Sequence, residues 1–166
     1  MAAVSTTDAL LENARRHRET APAVGLPAPP AQKVAILTCM DARLDPAAIF
    51  GLLPGDAHVI RNAGGVVTDD AIRSLAISQR LLGTTEVVLV HHTGCGMTSF
   101  DGETFLARLA AETGRAPSWS AETFTDVDEH LRLSLRAVRE CPYLPGRQAV
   151  RGFVYDVDTA ELREVA

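Results

Sequence analysis

Two short runs limit the architecture more than anything else in this chain. Val34-Ala35-Ile36-Leu37-Thr38 and Val87-Val88-Leu89-Val90 are almost wholly apolar and rich in β-branched residues. Each is too short for a helix, and neither alternates with polar residues. Such runs read as strands covered on both faces, as in a parallel sheet. Helical patterns fall between and after them. Asp45-Pro46 opens a short helical turn through Phe50, since Asp caps and Pro suits the first turn. Thr68-Asp69-Asp70 starts a helix carrying Ile72, Leu75, Ala76, Gln79 and Leu82 and stopping at Gly83. Thr98 or Ser99 is expected to cap a helix ending near Gly114. Phe124, Val127, Leu131, Leu135 and Val138 have helical spacing and read as a core stripe, ended by Pro142 and Pro145.

Ala57–Arg61 alternates and reads as a strand nearer an edge. Val150–Asp156 is a fourth strand, and Glu161–Val165 a last edge strand. The expected fold is therefore α/β: a mostly parallel central sheet of four strands plus a C-terminal edge strand, with helices on both faces. Residues 6–20 form a charged helix with a thin apolar stripe, capped by Thr7, that suits an arm lying on another surface. Residues 21–32 hold four prolines and form a stiff linker. Residues 1–166 are read as a single domain, with 1–32 its N-terminal arm and Pro-rich linker.

If strand one lies between strands two and three, its connections leave in opposite directions. The carboxyl ends of strands one and three then border the crevice where such sheets bind ligands. That is where the chemistry-bearing residues sit. Cys39-Met40-Asp41-Ala42-Arg43 follows the first run, and His92-Thr93-Gly94-Cys95 follows the other. Two thiolates and an imidazole make a three-ligand zinc set with an open position, the mark of a catalytic rather than a structural zinc. Gly94 and Gly96 flank Cys95 and allow a sharp turn. The helix after Cys95 places its positive end nearby, which favours thiolate. Asp41 and Arg43 share parity with Cys39 on an extended segment, and Arg43 offsets the added carboxylate.

The Cys-x-Asp-x-Arg segment, Arg61-Asn62-Ala63-Gly64-Gly65 and His92-Thr93-Gly94-Cys95 together resemble the beta-class carbonic anhydrases, in order and with compatible spacing over residues 33–100. The resemblance implies Zn2+ held by Cys39, His92 and Cys95, with Asp41 and Arg43 as the catalytic dyad. It implies reversible hydration of carbon dioxide to bicarbonate by a zinc-bound hydroxide. It also implies a homodimer or a dimer of dimers. The open position also sets an expectation of its own: at low pH Asp41 competes for it as a fourth ligand in an inactive state, and at higher pH hydroxide wins and Asp41 swings back to Arg43. Ala42 stands where many relatives have Ser, so a hydroxyl between the dyad residues is missing. The same ligands would serve hydrolysis of carbonyl sulfide or carbon disulfide, and a closed four-ligand site would suit a zinc-stabilised interaction module instead.

Other features narrow the field. The net charge is −5 and aromatics are 5%, which argues against a nucleic-acid partner. No apolar run is long enough for a bilayer. Asp8 and Glu12 interrupt the N-terminal apolar residues, and three cysteines is an odd count for a disulfide framework. A cytoplasmic location is the expectation. Cys141 reads as a buried thiol, and Gly64-Gly65 lacks the pattern of a phosphate loop. Those glycines are expected to let backbone approach the metal pocket, with Asn62 hydrogen-bonded within it. His91 should face away from His92, while His17, His58 and His130 read as solvated or interface groups.

Overall fold

The computed structural model describes residues 5–21 and 24–166. Residues 22 and 23 of the proline-rich segment, and the first four of the arm, lie outside the described residues. The strands are β1 (Val34–Cys39), β2 (Ala57–Asn62), β3 (Glu86–His92), β4 (Val150–Tyr155) and β5 (Leu162–Val165). They form one five-stranded sheet in the order β2-β1-β3-β4-β5. The first four are parallel and β5 runs antiparallel to β4. β1 sits between two neighbours and is buried from Ala35 to Cys39, whereas β2, at the edge, is only partly covered.

The helices are α1 (Thr6–Thr20), α2 (Pro46–Phe50), α3 (Asp69–Leu82), α4 (Gly102–Thr113) and α5 (Val127–Glu140). α3 and α5 share one core cluster with Ala35, Leu37, Val87 and Leu89, the residues on one face of β1 and β3. The β1–α2–β2 connection runs the opposite way along the sheet, so a right-handed crossover takes it over the other face. α5 buries Leu131, Leu135 and Val138. Gly152 of β4 makes room for them: a Cβ there would lie 2.9 Å from Leu135 Cδ1. Cys141 is a buried thiol of this core.

Three local expectations are corrected. The cap of α4 is Asp101, which accepts from the Thr104 N–H, not Thr98 or Ser99. Those two hydroxyls are already committed, donating to the Cys95 and Gly96 carbonyls around a 3₁₀ turn at Gly96–Thr98. α5 starts after Asp126, so Phe124 lies outside the helix. Its ring instead stacks on His130 at 4.1 Å and packs against the cluster of Cys39, Leu44 and Cys95. α1 begins two residues earlier than a Thr7 cap allows, because Ser5 and Asp8 close a reciprocal capping box.

α1 buries none of its residues, and Leu10 and Leu11 stay exposed. The far end of the linker is pinned: Ala31 and Gln32 donate to the Gly55 and Asp56 carbonyls. No helix among the described residues is long and apolar enough to cross a membrane. Leu131 is fully buried on the core face of α5, so Leu131→Ala is expected to lower the unfolding free energy by about 2–5 kcal/mol in chemical denaturation. A loss well under 1 kcal/mol would show that α5 is not integral to the core.

Candidate metal centre

The parallel ladder sets the donors side by side. Thr38 pairs with Val90, so β1 and β3 end at nearly the same level and release Cys39 and His92 at one edge. The turn after β3 returns Cys95 to the same place. The Cys39 and Cys95 sulfurs are 4.0 Å apart, and the donor atoms of Cys39, His92 and Cys95 all lie within 4.8 Å of one another. All three residues are buried, and both cysteines are free thiols.

The His92 tautomer follows from its partner. Nδ1 lies 2.9 Å from the Thr93 carbonyl oxygen. A carbonyl only accepts, so Nδ1 carries the hydrogen and Nε2 the lone pair. Nε2 is buried with no hydrogen-bond partner among the described residues. Leaving such an acceptor unmet costs about 1–3 kcal/mol, and an ion at that lone pair removes the cost. This orphaned nitrogen, aimed at two sulfurs, is what fits the trio to zinc.

The sulfurs tell the same story. Cys39 is pulled down to about 4, chiefly by a hydrogen bond from the Cys95 thiol, against burial, with help from the Asp41 and Gly64 N–H groups. Cys95 is pushed up, first by Cys39 and then by burial, while the Met97 N–H favours its thiolate. A divalent cation between the two sulfurs would favour thiolate at both and displace the remaining thiol proton. Met97 belongs to the 3₁₀ turn, so the positive backbone end beside Cys95 comes from that turn and not from α4.

Asp41 and Arg43 meet as expected, but through a turn and not an extended segment. The Asp41 carboxylate accepts three hydrogen bonds from Arg43: backbone N–H (2.9 Å), Nε (2.9 Å) and Nη2 (2.7 Å). These bonds hold its carboxyl well below the usual carboxylate range. Asp41 Oδ2 lies 3.9 Å from His92 Nε2. The carboxylate therefore borders the three donors and is held by Arg43. Arg43 Nη2 also donates to the Gly94 carbonyl at 2.9 Å, tying the pair to the loop that carries Cys95. The three bonds from Arg43 hold Asp41 without the hydroxyl that Ala42 lacks.

The Arg61–Gly65 segment forms the floor. Asn62 Nδ2 donates to the Val66 carbonyl and Asn62 Oδ1 accepts from the Val66 N–H, both at 2.8 Å. This bracket holds Gly64 and Gly65 at positive φ. A Cβ on Gly65 would lie 2.9 Å from the Cys39 nitrogen, so only glycine fits beneath the first ligand. Arg61, whose role the sequence did not reveal, donates to the Cys39 and Asp41 carbonyls.

The remaining histidines are outside the donor set. His91 faces the α5 side, where its Nε2 lies 2.8 Å from His130 Nδ1, and burial pulls it down to about 4. His58 bonds to Ser78 Oγ and the Ala28 carbonyl. His58 and His130 are thus engaged within the chain, contrary to the solvated reading; His17 is exposed on α1. No local signal pairs His91 with a residue 39 positions away.

The carbonic anhydrase family profile matches residues 34–162. The chain is 54% identical over 140 residues to beta-carbonic anhydrase 1 of Mycobacterium tuberculosis, covering 84% of this chain and 86% of that protein. It is 34% identical over 158 residues to a carbon disulfide hydrolase of Acidianus sp., covering 80% and 77%. A crystal structure of carbonic anhydrase from Streptococcus mutans superposes with a TM-score of 0.91 at 39% identity, over 99% of each chain.

Elemental analysis of the purified chain is expected to find about one zinc per polypeptide. Cys95→Ala should reduce that to a small fraction while the fold persists by circular dichroism. Full zinc retention in that variant would remove Cys95 from the ligand set.

Proposed function

The chain belongs to the beta-class carbonic anhydrase family, and on that premise we propose that Cys39, His92 and Cys95 hold its zinc while Asp41 and Arg43 do the catalytic work. The enzyme is a zinc-dependent carbonate dehydratase that hydrates carbon dioxide reversibly to bicarbonate. The observation that carries the site assignment is the buried lone pair of His92 Nε2, without a hydrogen-bond partner among the described residues and gathered with two sulfurs. When bound there, zinc supplies Lewis acidity that acidifies water and furnishes a nucleophile at neutral pH.

The chain supplies position and polarity. Asp41 stays ionised throughout the working range, because Arg43 holds its carboxyl far below ordinary carboxylates. An ionised carboxylate only accepts. Beside the donors it is placed to accept a hydrogen bond from a hydroxyl nucleophile, and would so orient that oxygen's lone pair toward carbon dioxide. Arg43 draws the carboxylate away from the open position by holding both of its oxygens, and the inactive state with Asp41 as fourth ligand requires that grip to be released. Met97, Phe124, Tyr155 and Val157 pack around the ligand cysteines and give an apolar surround suited to an apolar, linear substrate. The lower identity with the carbon disulfide hydrolase gives a sulfur analogue weaker support.

The 166 residues act as one catalytic domain in a homodimer or dimer of dimers, with residues 1–32 as an arm reaching the partner. Support comes from α1, which buries nothing on its own chain, and from an apolar groove of about 870 Å³ beside the site. Phe100, Phe105 and Trp119 line that groove. The enzyme acts in the cytoplasm, where its three free thiols stay reduced.

Asp41→Asn is expected to keep zinc and lose roughly 10²-fold or more in kcat by stopped flow; undiminished turnover would take the carboxylate out of the reaction. Light scattering should give a dimer or tetramer for the full chain. Replacing Leu10 and Leu11 with Ser should shift the assembly toward smaller species, and a fully active monomer would end the partner-arm reading.

A further inference from the structure

We infer that Arg61 is a positioning residue for the reaction, its guanidinium fixing the backbone that joins Cys39 to Asp41. The inference rests on the roles assigned above to those two residues. The β1–β2 pairing ends at Cys39 and Asn62, with a last bond from the Met40 N–H to the Asn62 carbonyl at 2.8 Å. Past that point the chain leaves the sheet, and it must carry Asp41 to the rim of the donor set without a strand beside it. Arg61, at the end of β2, extends the hold of the ladder with its side chain. Its Nε donates to the Cys39 carbonyl at 3.0 Å and its Nη2 to the Asp41 carbonyl at 2.7 Å.

One rigid, planar group therefore spans the carbonyls on either side of Met40. Asp41 is held at two ends: Arg43 orients its carboxylate, and Arg61 places its backbone relative to Cys39 and β2. Removing either hold leaves the carboxylate free to drift against the donors, and a misplacement near 1 Å can cost roughly 10²-fold in rate. Among the described residues Arg61 makes no ion pair, so its donors serve carbonyls and not a carboxylate. Its side chain is exposed at the wall of the apolar groove, where such bonds add little to stability. Their effect is geometric. Lysine keeps the charge but lacks the fork, and so cannot hold both carbonyls in one plane.

The test uses the full-length, zinc-loaded enzyme with Arg61→Ala and Arg61→Lys. Zinc per chain, kcat and KM for carbon dioxide, and the rate of zinc loss to a chelator are measured on each. Both variants should keep zinc at the parent level. Arg61→Ala should lose roughly tenfold or more in kcat and shed zinc faster, with KM within about twofold. Guanidinium ion added to Arg61→Ala should restore part of kcat without affecting the parent. The inference is overturned by an Arg61→Ala enzyme whose kcat and zinc release stay within about twofold of the parent. It is equally overturned by a kcat loss that only follows lost zinc. If Arg61→Ala does not fold, Arg61→Lys decides by the same readings. A parent enzyme without zinc would instead sink the ligand assignment, and a parent with zinc but no turnover the activity.

Discussion

Everything at this site depends on three electron-pair donors that the fold forces together away from water. Two sulfurs 4.0 Å apart and a ring nitrogen with no hydrogen-bond partner among the described residues repel one another unless positive charge lies between them. The surrounding backbone holds them together. The Thr93 carbonyl fixes the ring of His92, Gly65 packs under the Cys39 peptide, and the Asn62 bracket keeps Gly65 there. Each device is local, yet all depend on β1 lying between β2 and β3, which brings two distant segments to the same edge.

Charge is arranged in two compensated layers. Zinc with two thiolates and a neutral imidazole is formally neutral. Asp41 adds a negative charge beside it, and Arg43 cancels that charge with a bidentate grip plus one bond from its own backbone. The inner layer is buried and the outer one opens to solvent, with the Arg43 side chain half exposed. A carboxylate in this position can accept a hydrogen bond while Arg43 holds it outside the donor set, and entering that set would break three contacts together.

Much of this was legible in the sequence, and the reasons are specific. The strands were readable because Val34–Thr38 and Val87–Val90 are short, apolar and unbroken, and because donors follow each at once. The glycines at 64 and 65 signalled a close approach of backbone. What was not legible depended on competition or distance. Thr98, Ser99 and Asp101 are all good caps, and only the turn geometry shows that the two hydroxyls are spent on carbonyls. Phe124 matches the period of α5 yet precedes its cap, since periodicity does not mark where a helix begins. The pairing of His91 with His130 and the grip of Arg61 on two carbonyls are tertiary contacts that no short pattern encodes.

His91 and His92 are neighbours with opposite fates, separated only by the pleat of β3. A shift of that strand by a single residue would turn His91 toward the thiols and His92 toward α5, producing a counterfeit site with the same donor types. Nothing in the chemistry of imidazole would reject it. What rejects it is that β3 is bonded on both flanks, to β1 and to β4, so the impostor would have to break two ladders to appear. In this protein the choice between two identical side chains is made by the strands on either side, well before any ion arrives.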